Sequence, residues 1–430
     1  MAIEDDVVVV GGGLAGRTAA LAAARQGARV RMLSHKESTL RHASGLIDVL
    51  GYPPGERGPV ADPLAAAEAV PEGHPYERAG QAAIEAGLSL FDEVTGDAYR
   101  GGHTDRNALA VTAGGRLKPT ARYPASVAPG LASDARETLL VGFERVPDFD
   151  APLAADRLRA AGVPFDARGV TVRFPGDLRD DVTVTRLATM LDDDERVATG
   201  DGARPARTAL ADRVRPHVGG AERVGFPAVL GDAEARSVRR ALSAALDADV
   251  FEVPMGPPSL PGMRLADLLD DALDAAGVRT TTGNPVVDYA ADGDRVTRVV
   301  VDRNGAAVPF AASAFVLATG GLVGTGVEAD RDRVTEPVFD CHVPQPEDRY
   351  DWFVDDPFGD HAFARFGVRV DGDLRPRSAS GDPEFANLRA AGAVLGGVDY
   401  ATEQSGSGVS LATGAAAGRA AATDATSPEP

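Results

Sequence analysis

The sequence predicts an α/β protein in which a nucleotide-binding βαβ unit opens the chain, is interrupted by a second α/β region, and is completed near the C-terminus. Three observations carry this. Four valines, Val7 to Val10, run into Gly11, Gly12 and Gly13, and Gly16 follows. A second apolar strand ends in Ala318, Thr319 and Gly320. A turn holding Gly406 and Gly408 then starts an Ala/Gly-rich helix over residues 409–421.

Each element can be justified in order. The run from Val7 reads as a strand, Gly11 to Gly16 as a tight turn, Arg17 to Gln26 as a helix, and Ala28 to Leu33 as a second strand. In a Gly-x-Gly-x-x-Gly turn the first glycine permits the bend. The second lets a phosphate approach the backbone, and the third lets helix and strand pack closely. The start of that helix offers free N–H groups and partial positive charge to a phosphate or diphosphate. Many dinucleotide folds end the second strand with an acid that grips the adenosine ribose; here Ser34 stands there, and Glu37 lies too far on. The Ser44-Gly45 turn reads either as a backbone contact to a cofactor ring or as a surface turn.

Residues 51–62 are loop-like, with helix expected over 79–93. Strand, helix and strand follow at 139–143, 153–161 and 170–174, then a polar stretch over 192–207 that reads as a solvated loop. The alternation resumes at 224–230, 233–246 and 250–253. Residues 286–290 and 295–301 flank a hairpin turn at 291–294. The strand ending at Thr319 and Gly320 is the second landmark of flavoproteins with a two-dinucleotide-binding-type, Rossmann-like fold. The expected division is therefore 1–94 and 281–430 for a flavin-binding domain, with an α/β domain inserted at 95–280. The helix after Gly406 and Gly408 is expected to aim its N-terminal dipole at the flavin ring, with Gly392 nearby.

Composition narrows the function further. The 430 residues carry a formal charge of −20, and only two of the 44 basic residues, Lys36 and Lys118, are lysine. Such acid-rich, lysine-poor surfaces suit high salt, and a GC-rich genome alone produces a similar bias. The charge argues against nucleic acid or anionic lipid as a general partner. Cys341 is the single cysteine, so this chain alone builds no disulfide, cysteine zinc site or iron–sulfur cluster, and no metal is expected. The acidic start at Glu4, Asp5 and Asp6 is unlike a secretory signal, and no apolar run is long enough to span a bilayer.

With these residues in view, the chain resembles the B subunit of anaerobic glycerol-3-phosphate dehydrogenase. The likeness lies in Gly11 to Gly16, Ala43 to Leu50, His74-Pro75-Tyr76, Val141 to Phe143 with Asp148 and Phe149, and Pro261 to Leu265. It continues through Phe366 to Val368, Leu374 to Pro376, Ala391 to Val398 and the helix after Gly406. The resemblance implies an FMN-containing chain beside an FAD-containing partner, the A subunit, and an iron–sulfur, membrane-associated partner, the C subunit. Together these oxidise sn-glycerol 3-phosphate to dihydroxyacetone phosphate and pass electrons to quinone in anaerobic respiration. It also implies a cytoplasmic chain held peripherally at the inner face of the membrane by its partners. Ser34 favours FMN, which has no adenosine to hold; FAD held by backbone is the alternative.

Oxidising glycerol 3-phosphate requires a cation for the phosphate and a base for the C2 hydroxyl proton. Arg264 and Arg375 are candidates for the first and His361 for the second, with a solvent-facing role as the plain reading of each. His42, two residues before Ser44, is another candidate base. Cys341-His342 reads as inert, and Trp352 as packing or a partner contact. Three rivals stand beside this reading: a self-sufficient flavin oxidoreductase for another small alcohol, a nicotinamide-dependent dehydrogenase, and a scaffold protein of the complex without cofactor.

Overall fold

A computed structural model describes residues 3–179, 181–200 and 202–426. The chain forms two units, Met1–Thr39 with Asp48–Gly96 and Asp267–Pro430, and Leu40–Ile47 with Asp97–Ala266. The inserted unit thus also takes the short segment Leu40–Ile47, and the chain leaves it inside the helix Leu260–Ala275 rather than near 280. A border inside a continuous helix changes no composition, so the sequence pattern sets it too late.

The first unit is built on strand β1 (Ile3–Val10), helix α1 (Leu14–Ala24) and strand β2 (Val30–Ser34). Val7 to Val10 are all buried, as expected of a parallel strand covered on both faces. Strand Arg279–Thr282 pairs parallel with β2, β2 with β1, and β1 with the return strand Ala306–Leu317. The return strand begins as the last arm of an antiparallel meander through Val286–Asp292 and Arg295–Arg303, and its end pairs parallel with Leu388–Ala390. These seven strands form one sheet.

The C-terminal helix Gly406–Thr426 packs directly on α1. Small residues make the approach possible. A Cβ on Gly414 would stand 2.6 Å from the Ala15 carbonyl oxygen, and one on Gly418 2.1 Å from that of Ala19. The Ala/Gly richness of both helices is therefore a packing requirement. No described helix is long and apolar enough to cross a membrane.

The second unit holds a four-stranded parallel sheet in the order Asp249–Val253, Arg223–Pro227, Thr138–Phe143, Ala167–Val172. Helices Ala151–Ala160, Ala206–Val218 and Ala235–Leu246 supply the apolar faces of its core. The 192–207 stretch is more ordered than its polarity suggests. It holds the hairpin Arg196–Thr199 with Gly202–Pro205 and the start of a helix. Two of the charged residues there have internal partners: Asp192 accepts from the N–H groups of Asp232, Ala233 and Glu234, and Arg207 donates to the Leu191 and Asp192 carbonyls.

Candidate functional site

Within the first unit, a cleft of about 470 Å³ opens at the carboxyl ends of β1, β2 and the return strand. Its walls are Gly11 to Gly13, the Ser34 to Thr39 loop, and Thr319 with Gly320, and it reaches Pro285 and Val286. Here the strand order reverses: β2 lies on one side of β1 and the much later return strand on the other. Open α/β sheets bind ligands at such a switch point.

The three fingerprint glycines do different work. Gly11 has φ +123°, and a Cβ there would stand 2.0 Å from the Ala318 carbonyl oxygen. A Cβ on Gly16 would stand 1.9 Å from the Gly11 oxygen. These two are therefore required by the fold itself. Gly13 is not: a Cβ there meets nothing within 4 Å. Its missing side chain leaves open the wall of the cleft, at the start of a helix that no side chain caps. Thr319 Oγ1, sheltered on the same wall, has no hydrogen-bond partner among the described residues. A vacant approach to a helix N-terminus beside an unpaired hydroxyl fits a phosphate-bearing cofactor. Arg17, which carries no signal in the sequence pattern, braces this loop. It is buried, donates from Nε to the Gly12 carbonyl at 2.9 Å and pairs with Asp270.

Ser34 lines the cleft, but its hydroxyl donates to the Lys36 carbonyl at 3.0 Å, within its own loop. Lys36, one of the two lysines, also borders the cleft.

The start of the C-terminal helix gathers motifs far apart in sequence. Asp48 Oδ1 accepts from the Ser407 N–H at 2.9 Å, and its carbonyl accepts from the Gly408 N–H at 2.7 Å. The Tyr76 hydroxyl donates to the Val49 carbonyl at 2.5 Å, and a Cβ on Gly408 would stand 2.3 Å from that hydroxyl oxygen. Burial pushes the Tyr76 phenol well above its ordinary value, so it remains a neutral donor. His74, fully buried, accepts the Tyr76 N–H on Nδ1, which leaves its proton on Nε2 to donate to Glu403 at 3.0 Å. The helix dipole expected to face the flavin ring thus ends on a carboxylate of the chain. Asp48 carries no signal of this in sequence, at a separation of 359 residues. Gly392 packs against Ala15, and its N–H donates to Thr413 Oγ1, while the Gly406 carbonyl accepts from Ser410 within the helix.

Of the expected cofactor residues, Gly11, Gly13, Thr319 and Gly320 share the cleft wall, and Gly16 stands directly behind it. Ser44 and Gly45 lie in the second unit, where Ser44 Oγ accepts weakly from the Leu46 N–H and Tyr99 donates to the Gly45 carbonyl.

The three expected catalytic side chains have local partners. Arg264 is clamped bidentately on Glu252, with Nη1 and Nη2 at 2.7 and 3.0 Å from the two carboxylate oxygens, and it also donates to the Gly231 carbonyl. Glu252 is fully buried. Burial alone would raise its pKa, yet the adjacent guanidinium outweighs this and holds the carboxyl below its ordinary value. Arg375 is paired with Asp371 at 2.8 Å and Asp373 at 3.2 Å. His361 accepts the Val354 N–H on Nδ1 at 3.2 Å and turns Nε2 to the Pro357 carbonyl at 3.2 Å. Cys341 is buried, and burial, with Glu336 and Glu384 nearby, pushes its thiol well above the ordinary value.

Comparison with known proteins agrees with this geometry. Residues 6–409 match the family described as FAD binding domain. The probable B subunit of anaerobic glycerol-3-phosphate dehydrogenase from Halobacterium salinarum is 60% identical, over 98% of this chain and 99% of its own. The corresponding proteins of Pectobacterium atrosepticum and Vibrio cholerae are 32% and 30% identical, over 94% and 95% of this chain and 96% and 94% of theirs.

Proposed function

Since the chain belongs to the family of anaerobic glycerol-3-phosphate dehydrogenase B subunits, we propose that it is the flavoprotein member of a complex that oxidises sn-glycerol 3-phosphate to dihydroxyacetone phosphate. The observation that carries the reading is the Gly13 wall of the cleft, which the fold leaves open and a phosphate group would fill. A flavin bound here would supply the complex with a two-electron carrier. The chain's own part is to hold that cofactor. The Gly13 turn and the start of α1 would hold its phosphate, with Arg17 keeping the turn in shape and Thr319 Oγ1 available as a sheltered polar contact.

The cofactor we propose is FMN. The cleft reaches Pro285 and Val286, so size alone does not reject an adenosine. The last residue of β2 is Ser34, engaged with its own loop, rather than a carboxylate; the nearest acid is Glu37, three residues on, which lines the same cleft. Cys341, single and buried, builds no cluster to carry electrons onward. Electrons therefore leave through partners, in this proposal an FAD-containing A subunit and an iron–sulfur C subunit that deliver them to quinone at the inner face of the membrane. The ion pairs of Arg264 and Arg375 and the loop bonds of His361 favour structural roles for these three. Substrate oxidation is then shared with, or carried by, the FAD-containing partner.

Two measurements test this. Cofactor released by heat from the purified chain is expected to run as FMN, and FAD in its place overturns the Ser34 argument. The isolated chain is expected to reduce a dye poorly with glycerol 3-phosphate. Adding the FAD-bearing partner should raise the rate at least roughly tenfold, about 1.4 kcal/mol of barrier. Brisk turnover by the isolated chain overturns the division of labour.

A further inference from the structure

Large apolar residues are unevenly exposed in this protein. Ten are exposed among the described residues, and five of them fall between positions 350 and 363: Tyr350, Phe353, Val354, Phe358 and Phe363. Phe358 is 98% exposed and Tyr350 76%. Isolated exposed apolar residues need no explanation, but a cluster within one short segment marks a contact surface.

The segment is built to hold this display still. Trp352 is buried beneath it, edge-on to Phe366 with ring centres 5.6 Å apart, and donates from Nε1 to the Pro346 carbonyl at 3.1 Å. The short turns Arg349–Trp352 and Ala362–Arg365 lie against each other. Between them, His361 ties the loop by its two ring nitrogens to Val354 and Pro357 and stacks on Phe363 at 5.1 Å. Arg365 pairs with Asp360, and Asp356 Oδ1 accepts the Phe358 N–H at the tip. A loop fixed in this way loses little conformational entropy when a partner covers it.

Charge narrows the partner. Over residues 348–365 the sequence has five aspartates, Asp348, Asp351, Asp355, Asp356 and Asp360, against two arginines. An anionic lipid surface would be repelled, whereas a protein pocket rimmed by arginine or lysine would be drawn in. We propose that the 348–365 loop docks a redox partner protein that presents an apolar pocket for Phe358 within a basic rim. This rests on the reading of the chain as one member of a complex.

The test uses the full-length, flavin-loaded chain and the purified FAD-bearing partner, with Kd measured at low and at molar salt. Wild type is expected to bind. Phe358→Ser, and separately Phe353→Ser with Val354→Ser, should each weaken binding at least roughly tenfold. For Phe358→Ser flavin occupancy and melting temperature should stay unchanged, since Phe358 is almost wholly exposed; for the Phe353 and Val354 variant, whose side chains are half-buried, flavin occupancy is the control. Asp355→Asn with Asp356→Asn should slow association at low salt only. Wild type that binds while the serine variants bind equally well overturns the docking loop and leaves the reading of a multi-protein complex intact. Wild type that does not bind overturns that reading, and the docking loop with it. Phe358-dependent flotation with phosphatidylglycerol vesicles would overturn the protein partner and assign the loop to lipid instead.

Discussion

In the proposed reading cofactor binding turns on Gly13, because it is the fingerprint glycine whose absent side chain the fold does not require. Gly11 and Gly16 would collide with backbone oxygens if they carried a Cβ, so their substitution tests folding. Gly13→Val adds a branched side chain into open cleft. The expected outcome is a folded chain that has lost bound flavin, read by absorbance at roughly 450 nm, a general property of oxidised flavins. Full occupancy in the variant would reduce the loop to a packing turn. These glycines are legible in sequence because their constraint is local, a turn of a few residues between strand and helix. The roles of Arg264, Arg375 and His361 are not, because an arginine or histidine takes its role from the group it meets. For Arg264 that group is Glu252, on a strand of the same unit, and nothing in its neighbouring sequence announces it.

At the scale of elements, the same ion pair ties the first turns of the helix Leu260–Ala275 to the strand Asp249–Val253. Glu252 also accepts the Leu230 N–H at 3.0 Å, so one buried carboxylate organises three segments. Arg264→Met would leave that carboxylate uncompensated, at a cost of about 3–5 kcal/mol. The double variant with Glu252→Gln should recover most of the loss. The sign of the pH dependence follows from the Glu252 carboxyl. In the native pair its pKa is depressed, so its contribution is present above the ordinary carboxylate value and is lost as pH falls through the lower folded value. Without Arg264, burial pushes it the other way, and the single variant should gain stability relative to wild type as pH is lowered from neutral toward the acid range. Denaturant melts at neutral and mildly acid pH check both points. A loss well under 1 kcal/mol, far below the range for a broken buried pair, would mean the pair contributes little, and would return Arg264 to consideration as a substrate ligand. Regular elements with apolar patterns, such as Thr138–Phe143 and Ala235–Leu246, are readable because burial dictates their pattern. Helix Ala206–Val218 is not, since it is rich in arginine and contains Pro216, and its order comes from packing rather than propensity.

For the whole molecule, charge is the quantity that decides. The excess of carboxylates over cations, −20 in all, produces repulsion at many separations, while the visible attractions are short arginine–carboxylate contacts such as Arg29 with Asp6 at 2.6 Å and Arg136 with Asp249 at 2.7 Å. Salt acts on these unequally. The screening length shrinks from about 10 Å at 0.1 M to about 3 Å at 1 M. Raising salt over that range therefore removes repulsion between carboxylates roughly 5–15 Å apart, the span of neighbouring surface groups, before it dissolves contacts already at hydrogen-bond distance. The net effect is stabilising, and the melting temperature is expected to rise from dilute to molar potassium chloride. The 60% identity to a Halobacterium salinarum protein fits a source in which such salt is normal. A non-ionic osmolyte at matched osmolarity separates screening from general surface exclusion, since it leaves the charge repulsion in place. A melting temperature that is flat or falls with salt would assign the acid-rich composition to codon bias. A rise matched by the osmolyte would assign the stabilisation to solvent exclusion. A rise with salt alone makes the surface charge an adaptation that folding itself depends on.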